Sequence, residues 1–165
     1  YLDDSALGGL LWDTLWGLGG VFDVAAGCPN LIERVEGGLL SYGNEMTREN
    51  NPFEINLDRF CRVDGKVDYV GRAALQEIAK SGPSQRIRGI VFEGRPCSPC
   101  AAPWPMTIDE AVVGQVTTAI WSPAFKKNIA LGMVTKDHWT FGQAVDINLP
   151  DGRANRGKLC QLPLR

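Results

Sequence analysis

The sequence predicts an α+β chain, helical in its first half and a small antiparallel β-barrel or sandwich in its second. Three observations carry this. Leu7, Leu11, Leu15 and Leu18 recur at helical spacing near the start. Ala74, Leu75, Ile78 and Ala79 do so again, and Gly82-Pro83 supplies a stop. Beyond Gln85 the helical period gives way to short β-branched runs separated by turn signals.

The first helix is expected from Ser5, an N-cap after two acidic residues, to the glycines at 17, 19 and 20. Leu10, Trp12 and Trp16 make it apolar over more than one face, so it is expected to pack on two sides. Trp12 and Trp16 are then core residues, or line a cavity if the helix faces one.

The run 27–46 packs charge, glycine and a tyrosine more densely than any other stretch. Arg34 and Glu36 lie two apart, and in an extended segment they project to one face. An arginine fork beside a carboxylate suits planar recognition, and Tyr42 follows within reach. A structural ion pair beside a glycine turn accounts for the same spacing.

Residues 47–52 read as a polar loop, since Pro52 excludes helical geometry from its predecessor. Phe53, Ile55 and Leu57 alternate with Glu54, Asn56 and Asp58, which predicts a short half-buried strand with its polar side open to ligand or solvent. A helix over 71–80 follows. The polar Gly-Pro segment at 81–84 marks a boundary, giving two domains, 1–82 and 83–165. Strands are expected over 86–92, 112–121, 129–135 and 145–149. The last is joined to 158–162 by a hairpin at Asp151-Gly152. Pro96, Pro99, Pro103 and Pro105 predict an irregular loop. Lys126-Lys127 reads as a solvated turn, with an anionic tail as the alternative partner.

With 17 Lys and Arg against 19 Asp and Glu, the chain has no basic field to attract nucleic acid or an acidic membrane. No apolar run approaches the roughly 20 residues of a membrane span, and residues 1–4 lack the start of a signal peptide. The expected compartment is the cytoplasm. Five cysteines, an odd number, argue for reduced thiols. Cys97-Ser98-Pro99-Cys100 has zinc-pair spacing, but the single histidine, His138, has no partner to complete four ligands, so no metal is expected.

Certain motifs resemble a known family. Arg34-x-Glu36-x-Gly38, Tyr42-Gly43-Asn44-Glu45 and Pro52-x-Glu54 look like the folate-binding segment of the glycine-cleavage T-protein superfamily. The resemblance continues through Tyr69-Val70-Gly71-Arg72-x-x-Leu75, Gly114-Gln115-Val116-Thr117-Thr118, Ser122-Pro123-Ala124-Phe125, residues 129–134 and Leu162-Pro163. Ile32-Glu33-Arg34, residues 38–44 and Met46-Thr47-x-Glu49-Asn50-Asn51-Pro52 are most similar to the dimethylsulfoniopropionate demethylases, and also to the aryl O-demethylases. Arg59-Phe60 stands where the family commonly has a tryptophan.

The resemblance implies that 1–82 is the C-terminal part of a folate-binding domain and 83–165 the family's C-terminal barrel. It implies tetrahydrofolate as cofactor and methyl transfer from a small-molecule donor. Arg34 and Tyr42 match positions that contact the folate or line its cavity, and Glu36 would orient Arg34. Trp12 and Trp16 would line the donor pocket if the first helix faces it. The family's catalytic aspartate and pterin-gripping glutamate match nothing here, so no catalytic residue is assigned and the chain is expected to need an N-terminal portion of the same enzyme. A non-catalytic interaction module is the alternative from a different class. Without that portion the first helix is expected to leave an apolar face uncovered.

Overall fold

The computed structural model describes residues 2–24, 27 and 30–164, and most of its ordered backbone belongs to a closed six-stranded barrel. Strands β1 (Gln85–Phe92), β2 (Trp104–Ile108), β3 (Ala111–Ser122), β4 (Lys127–Thr135), β5 (Ala144–Asn148) and β6 (Ala154–Cys160) run in the order β1-β4-β3-β2-β5-β6. Every neighbouring pair is antiparallel, and β6 closes onto β1. Helices α1 (Gly8–Gly19), α2 (Leu31–Glu36) and α3 (Arg72–Ser81) precede the barrel. The α+β class and the barrel are as expected.

β4 shows how the molecule is layered. Seven consecutive residues, Asn128 to Val134, are buried, because both faces of this strand are covered. Ala130 and Val134 point into the barrel with Ile90, Phe92, Met106, Val116, Val145, Ile147 and Leu159. Ile129, Leu131 and Met133 point outward, onto Val35, Ile55, Ile87 and Leu164. The barrel wall is therefore shared by two cores, one inside it and one under the N-terminal segment.

A bulge in β3 decides which side chains reach that second core. Val116 pairs with Gly132 but Thr118 pairs with Leu131, so Thr117 is an extra residue. The insertion switches parity: Val116 and Ala119 both face inward, and Thr118 faces out.

Several expectations are corrected. α1 begins after a 3-10 turn at Ser5–Leu7 that is capped by Asp4, whose Oδ1 accepts from the Ala6 N–H at 2.9 Å, so Ser5 is not the cap. Among the described residues α1 does not pack on two sides. Leu10, Leu15 and Leu18 stand about two-thirds exposed, which is the uncovered apolar face anticipated from sequence. Residues 53–57 form turns, not a strand: Glu54 N–H bonds to Asn51 C=O, Leu57 N–H to Pro52 C=O, and Asn56 has φ 57°. Phe53 and Ile55 are buried, but so is Glu54. Its carboxylate accepts from Asn50 Nδ2, Ser84 Oγ and Gln85 Nε2, holding the loop to the start of β1 instead of facing a ligand.

β2 lies at the end of the proline-rich stretch that reads as an irregular loop. Pro105 is tolerated because β2 pairs with β5 only through Met106 and Thr107, leaving no ladder position for its missing N–H on that side. The hairpin at Asp151-Gly152 is present, but Asn148 pairs with Ala154, so β6 begins four residues before the apolar run that suggested it. Residues 161–164 leave the barrel, and Leu164 N–H bonds to Glu36 C=O at 2.9 Å. α3 runs from Arg72, after Gly71 at φ 89°, and the Gly82 N–H closes it on Ile78 C=O. Lys126 and Lys127 are exposed at the β3–β4 turn. Among the described residues no helix is long and apolar enough to cross a membrane.

Candidate functional site

The stretch 30–46 folds as a short helix and a tight loop laid against the outer face of β3 and β4. Asn30 caps α2, its Oδ1 accepting from the Glu33 N–H at 2.9 Å. The helix closes where Gly38 takes φ 66°, with Leu39 N–H returning to Arg34 C=O at 2.9 Å. A side chain at Gly38 would also press a Cβ to 3.0 Å from Leu162. The helix corrects the extended geometry expected here. At 100° per residue, Arg34 and Glu36 diverge around the axis and do not pair.

Arg34 instead reaches Glu45. Nη1 lies 2.8 Å from Oε2 of Glu45 and 2.9 Å from Leu39 C=O, while Nη2 donates to Thr118 Oγ1 at 3.1 Å. The Glu45 side chain is wholly buried and that of Arg34 is 21% exposed. Glu45 also accepts from the Ser41 N–H at 2.6 Å and from the Thr118 hydroxyl. One carboxylate thus joins α2, the 41–46 loop and the barrel. Thr118 takes part only because the bulge turns it outward. Charge-assisted bonds of this kind are about twice as strong as neutral ones, and a buried ion needs its partners.

Glu36 works separately: Ser122 Oγ donates to its Oε1, and the same hydroxyl accepts from the Phe125 N–H. Its expected role in orienting Arg34 is corrected accordingly; it fastens α2 to the end of β3. Tyr42 is two-thirds exposed on the loop, which is closed by Gly43 N–H to Met46 C=O at 2.8 Å. Trp12 and Trp16 stack with ring centres 5.7 Å apart and planes 9° from parallel, and each is more than half exposed. They are not core residues of this chain. The structure therefore brings Arg34, Glu45 and Thr118 together and leaves Tyr42 and the tryptophan pair as free aromatic faces. Glu45 and Thr118 lay in motifs already conspicuous in sequence, but only a distance across 73 residues gives them a shared role.

A cavity of about 400 Å3 opens beside this network, lined by Leu39, Leu40, Met46, Asn56, Arg59 and Leu162. A larger cleft of about 790 Å3 lies apart from it, between the proline-rich loop and the β5–β6 hairpin. Cys97 and Cys100 belong to that loop. Burial pushes the Cys97 thiol up, and burial pushes Cys100 up to about 11. Both are neutral thiols near pH 7. Cys61, Cys97, Cys100 and Cys160 are unpaired, and Cys28 lies outside the described residues. Among the described residues no three His, Cys, Asp or Glu side chains gather as a metal site would require.

The molecule is a six-stranded Greek-key-like barrel fastened by its outer wall to a helix, a loop and a buried Arg-Glu-Thr network. Residues 85–164 match the glycine cleavage T-protein C-terminal barrel domain. The chain belongs to the glycine-cleavage T-protein superfamily, of which it represents the C-terminal part.

Similar proteins agree in detail. The chain is 50% identical over 152 residues to dimethylsulfoniopropionate demethylase DmdA of Ruegeria pomeroyi, covering 92% of this chain and 41% of that protein. It is 32% identical over 156 residues to an aminomethyltransferase of Symbiobacterium thermophilum, covering 93% of this chain and 40% of that protein. The solved glycine cleavage system aminomethyltransferase T of Bartonella henselae superposes with a TM-score of 0.69 at 26% identity, over 79% of this chain and 36% of that one. The chain spans about 40% of the length of the curated relatives it matches.

Proposed function

We propose that the chain is the C-terminal portion of a tetrahydrofolate-dependent methyltransferase that moves a methyl group from dimethylsulfoniopropionate to tetrahydrofolate. The observation that carries this reading is the 50% identity to a dimethylsulfoniopropionate demethylase across nearly the whole chain. Such a transfer requires no covalent nucleophile, because holding donor and acceptor in line supplies roughly 7–11 kcal/mol.

The exposed residues suit an aromatic cofactor and a sulfonium donor. Tyr42 offers a free ring on the loop that Glu45 ties to Arg34, whose own guanidinium is committed to Glu45 and Thr118. In this reading Tyr42 contacts the folate, Arg34 fixes the loop that carries Tyr42, and Glu36 holds the helix that carries Arg34. Trp12 and Trp16 present a stacked aromatic pair of the kind that attracts a sulfonium, as aromatic faces attract quaternary ammonium. Tetrahydrofolate, when bound, supplies the methyl-accepting nitrogen.

The partner in this reading is the N-terminal portion of the same enzyme, which would cover the apolar face of α1 and bring the residues absent from this part. The domain boundary falls between residues 82 and 83, where α3 has ended and β1 has not begun. The unpaired thiols suit a cytoplasmic setting.

The test is an assay of the complete enzyme with dimethylsulfoniopropionate and tetrahydrofolate, following methyltetrahydrofolate and methylmercaptopropionate. Stoichiometric formation of both is expected. Failure with this donor, alongside aminomethyl transfer, would replace the reading with that of an aminomethyltransferase, the second reading favoured by the 32% identity.

A further inference from the structure

The row of side chains that fills the barrel runs on past the apolar core. Arg86 and Arg88 share strand parity with Ile90 and Phe92 and lie opposite Val134 and Gly132 of β4. They carry the inward row to one mouth of the barrel, where Trp139 packs on the interior cluster and Phe141 stands half exposed. The Arg88 guanidinium carbon is 5.7 Å from the centre of Trp139 and 4.9 Å from that of Phe141. That of Arg86 is 5.6 Å from Trp139. Two like charges share one aromatic wall.

Among the described residues neither has the partners a buried cation needs. Arg88 is 7% exposed. Its Nε donates to Trp139 C=O at 2.8 Å and its Nη1 to Ile87 C=O at 3.0 Å, with Asn56 Oδ1 at 3.5 Å; all three acceptors are neutral. Arg86 has a side chain only 27% exposed, and its Nε is sealed from solvent with no acceptor among the described residues. The carboxylate within ion-pair range is Asp58, 3.8 Å from Arg86 Nη2, too long for a hydrogen bond, and itself 42% exposed. Burial, then the charge of Arg86, holds the Arg88 guanidinium below its ordinary value. An anion between them would relieve both. Guanidinium forks match oxyanions in geometry, and ring faces keep the forks aligned.

We propose that this mouth of the barrel is an oxyanion site, taking a carboxylate or phosphate group gripped jointly by Arg86 and Arg88 against Trp139. The site stands apart from the Arg34–Glu45 network and does not rest on the methyl-transfer reading. The shared chemistry has two sources: a carboxylate on an oligoglutamate chain, or a free phosphate.

The experiment titrates the 165-residue chain separately with inorganic phosphate and with tri-γ-glutamate, and follows the arginine Nε–H and tryptophan indole N–H signals by NMR. A saturable shift of the Arg86, Arg88 and Trp139 signals is expected, with the tighter of the two probes identifying the source. Arg86→Gln should weaken that binding by about tenfold, the value of one charge-assisted pair. Asp58→Asn, which removes the competing carboxylate and leaves the fold's hydrogen bonds intact, should tighten it by about twofold to fivefold. Absence of a saturable shift at these signals with both probes overturns the proposal, as does binding that neither substitution changes.

Discussion

Glu45→Gln tests whether one buried carboxylate fastens the N-terminal segment to the barrel. The amide keeps the shape but leaves the Arg34 guanidinium without its counter-ion and turns an NH2 group toward either the Ser41 N–H or the Thr118 hydroxyl. Removing one partner of a fully buried pair costs about 3–5 kcal/mol. Arg34 keeps 21% of its side-chain surface, so water recovers part of this, and about 2–4 kcal/mol remains. For a chain of this size that lowers the melting midpoint by roughly 5–15 °C. Thermal unfolding followed by near-ultraviolet circular dichroism reads the shift. The control is the cycle with Arg34→Met: if the pair acts as a unit, the double variant loses clearly less than the two single losses added. A Glu45→Gln midpoint within about 2 °C of the parent would refute the argument.

Thr118→Val, which removes the bulge hydroxyl from the same network, should cost about 1–2 kcal/mol in urea unfolding, less than Glu45→Gln. Gly132→Ala would place a Cβ 2.7 Å from Ile90 Cδ1 and 2.8 Å from the Gln115 carbonyl, so overpacking should lower stability by about 1–3 kcal/mol, read in the same titration. Cys100 should alkylate slowly at neutral pH, because its thiol is pushed from an ordinary 9.0 up to about 11. A raised thiol also favours the folded state while neutral, so that contribution is present below pH 9.0 and is lost as pH rises through about 11; stability of the parent minus that of Cys100→Ser should fall over this window. Leu15→Glu with Leu18→Glu should shift this chain toward monomer in sedimentation velocity, since both side chains lie on the exposed face of α1.

Local chemistry determined a good deal of this protein in advance. The 3.6-residue period gave α3 nearly to the residue, β-branched runs placed β1, β3 and β4, and Asp-Gly placed the last hairpin. The density of charge, glycine and tyrosine singled out 27–46 as the place where the chain's conspicuous polar residues gather. What the sequence misassigned has a common cause. The 53–57 alternation looks like a strand, yet no neighbouring strand offers it a ladder, so Phe53 and Ile55 bury themselves from turns. β2 hides in a proline-rich stretch because only its relation to β3 and β5 shows that Pro105 needs no donor.

The site divides the same way. Arg34, Glu36 and Tyr42 were visible by type, but which carboxylate serves Arg34 depended on α2 being a helix, which rotates Glu36 toward Ser122 and leaves Glu45 to meet the guanidinium. Thr118 joined them through a one-residue bulge. Periodicity reports which face of an element is apolar. It is silent on which polar atoms the assembled barrel then brings within 3 Å, because that contact is made between segments far apart in the chain and only after each has found its place on the wall.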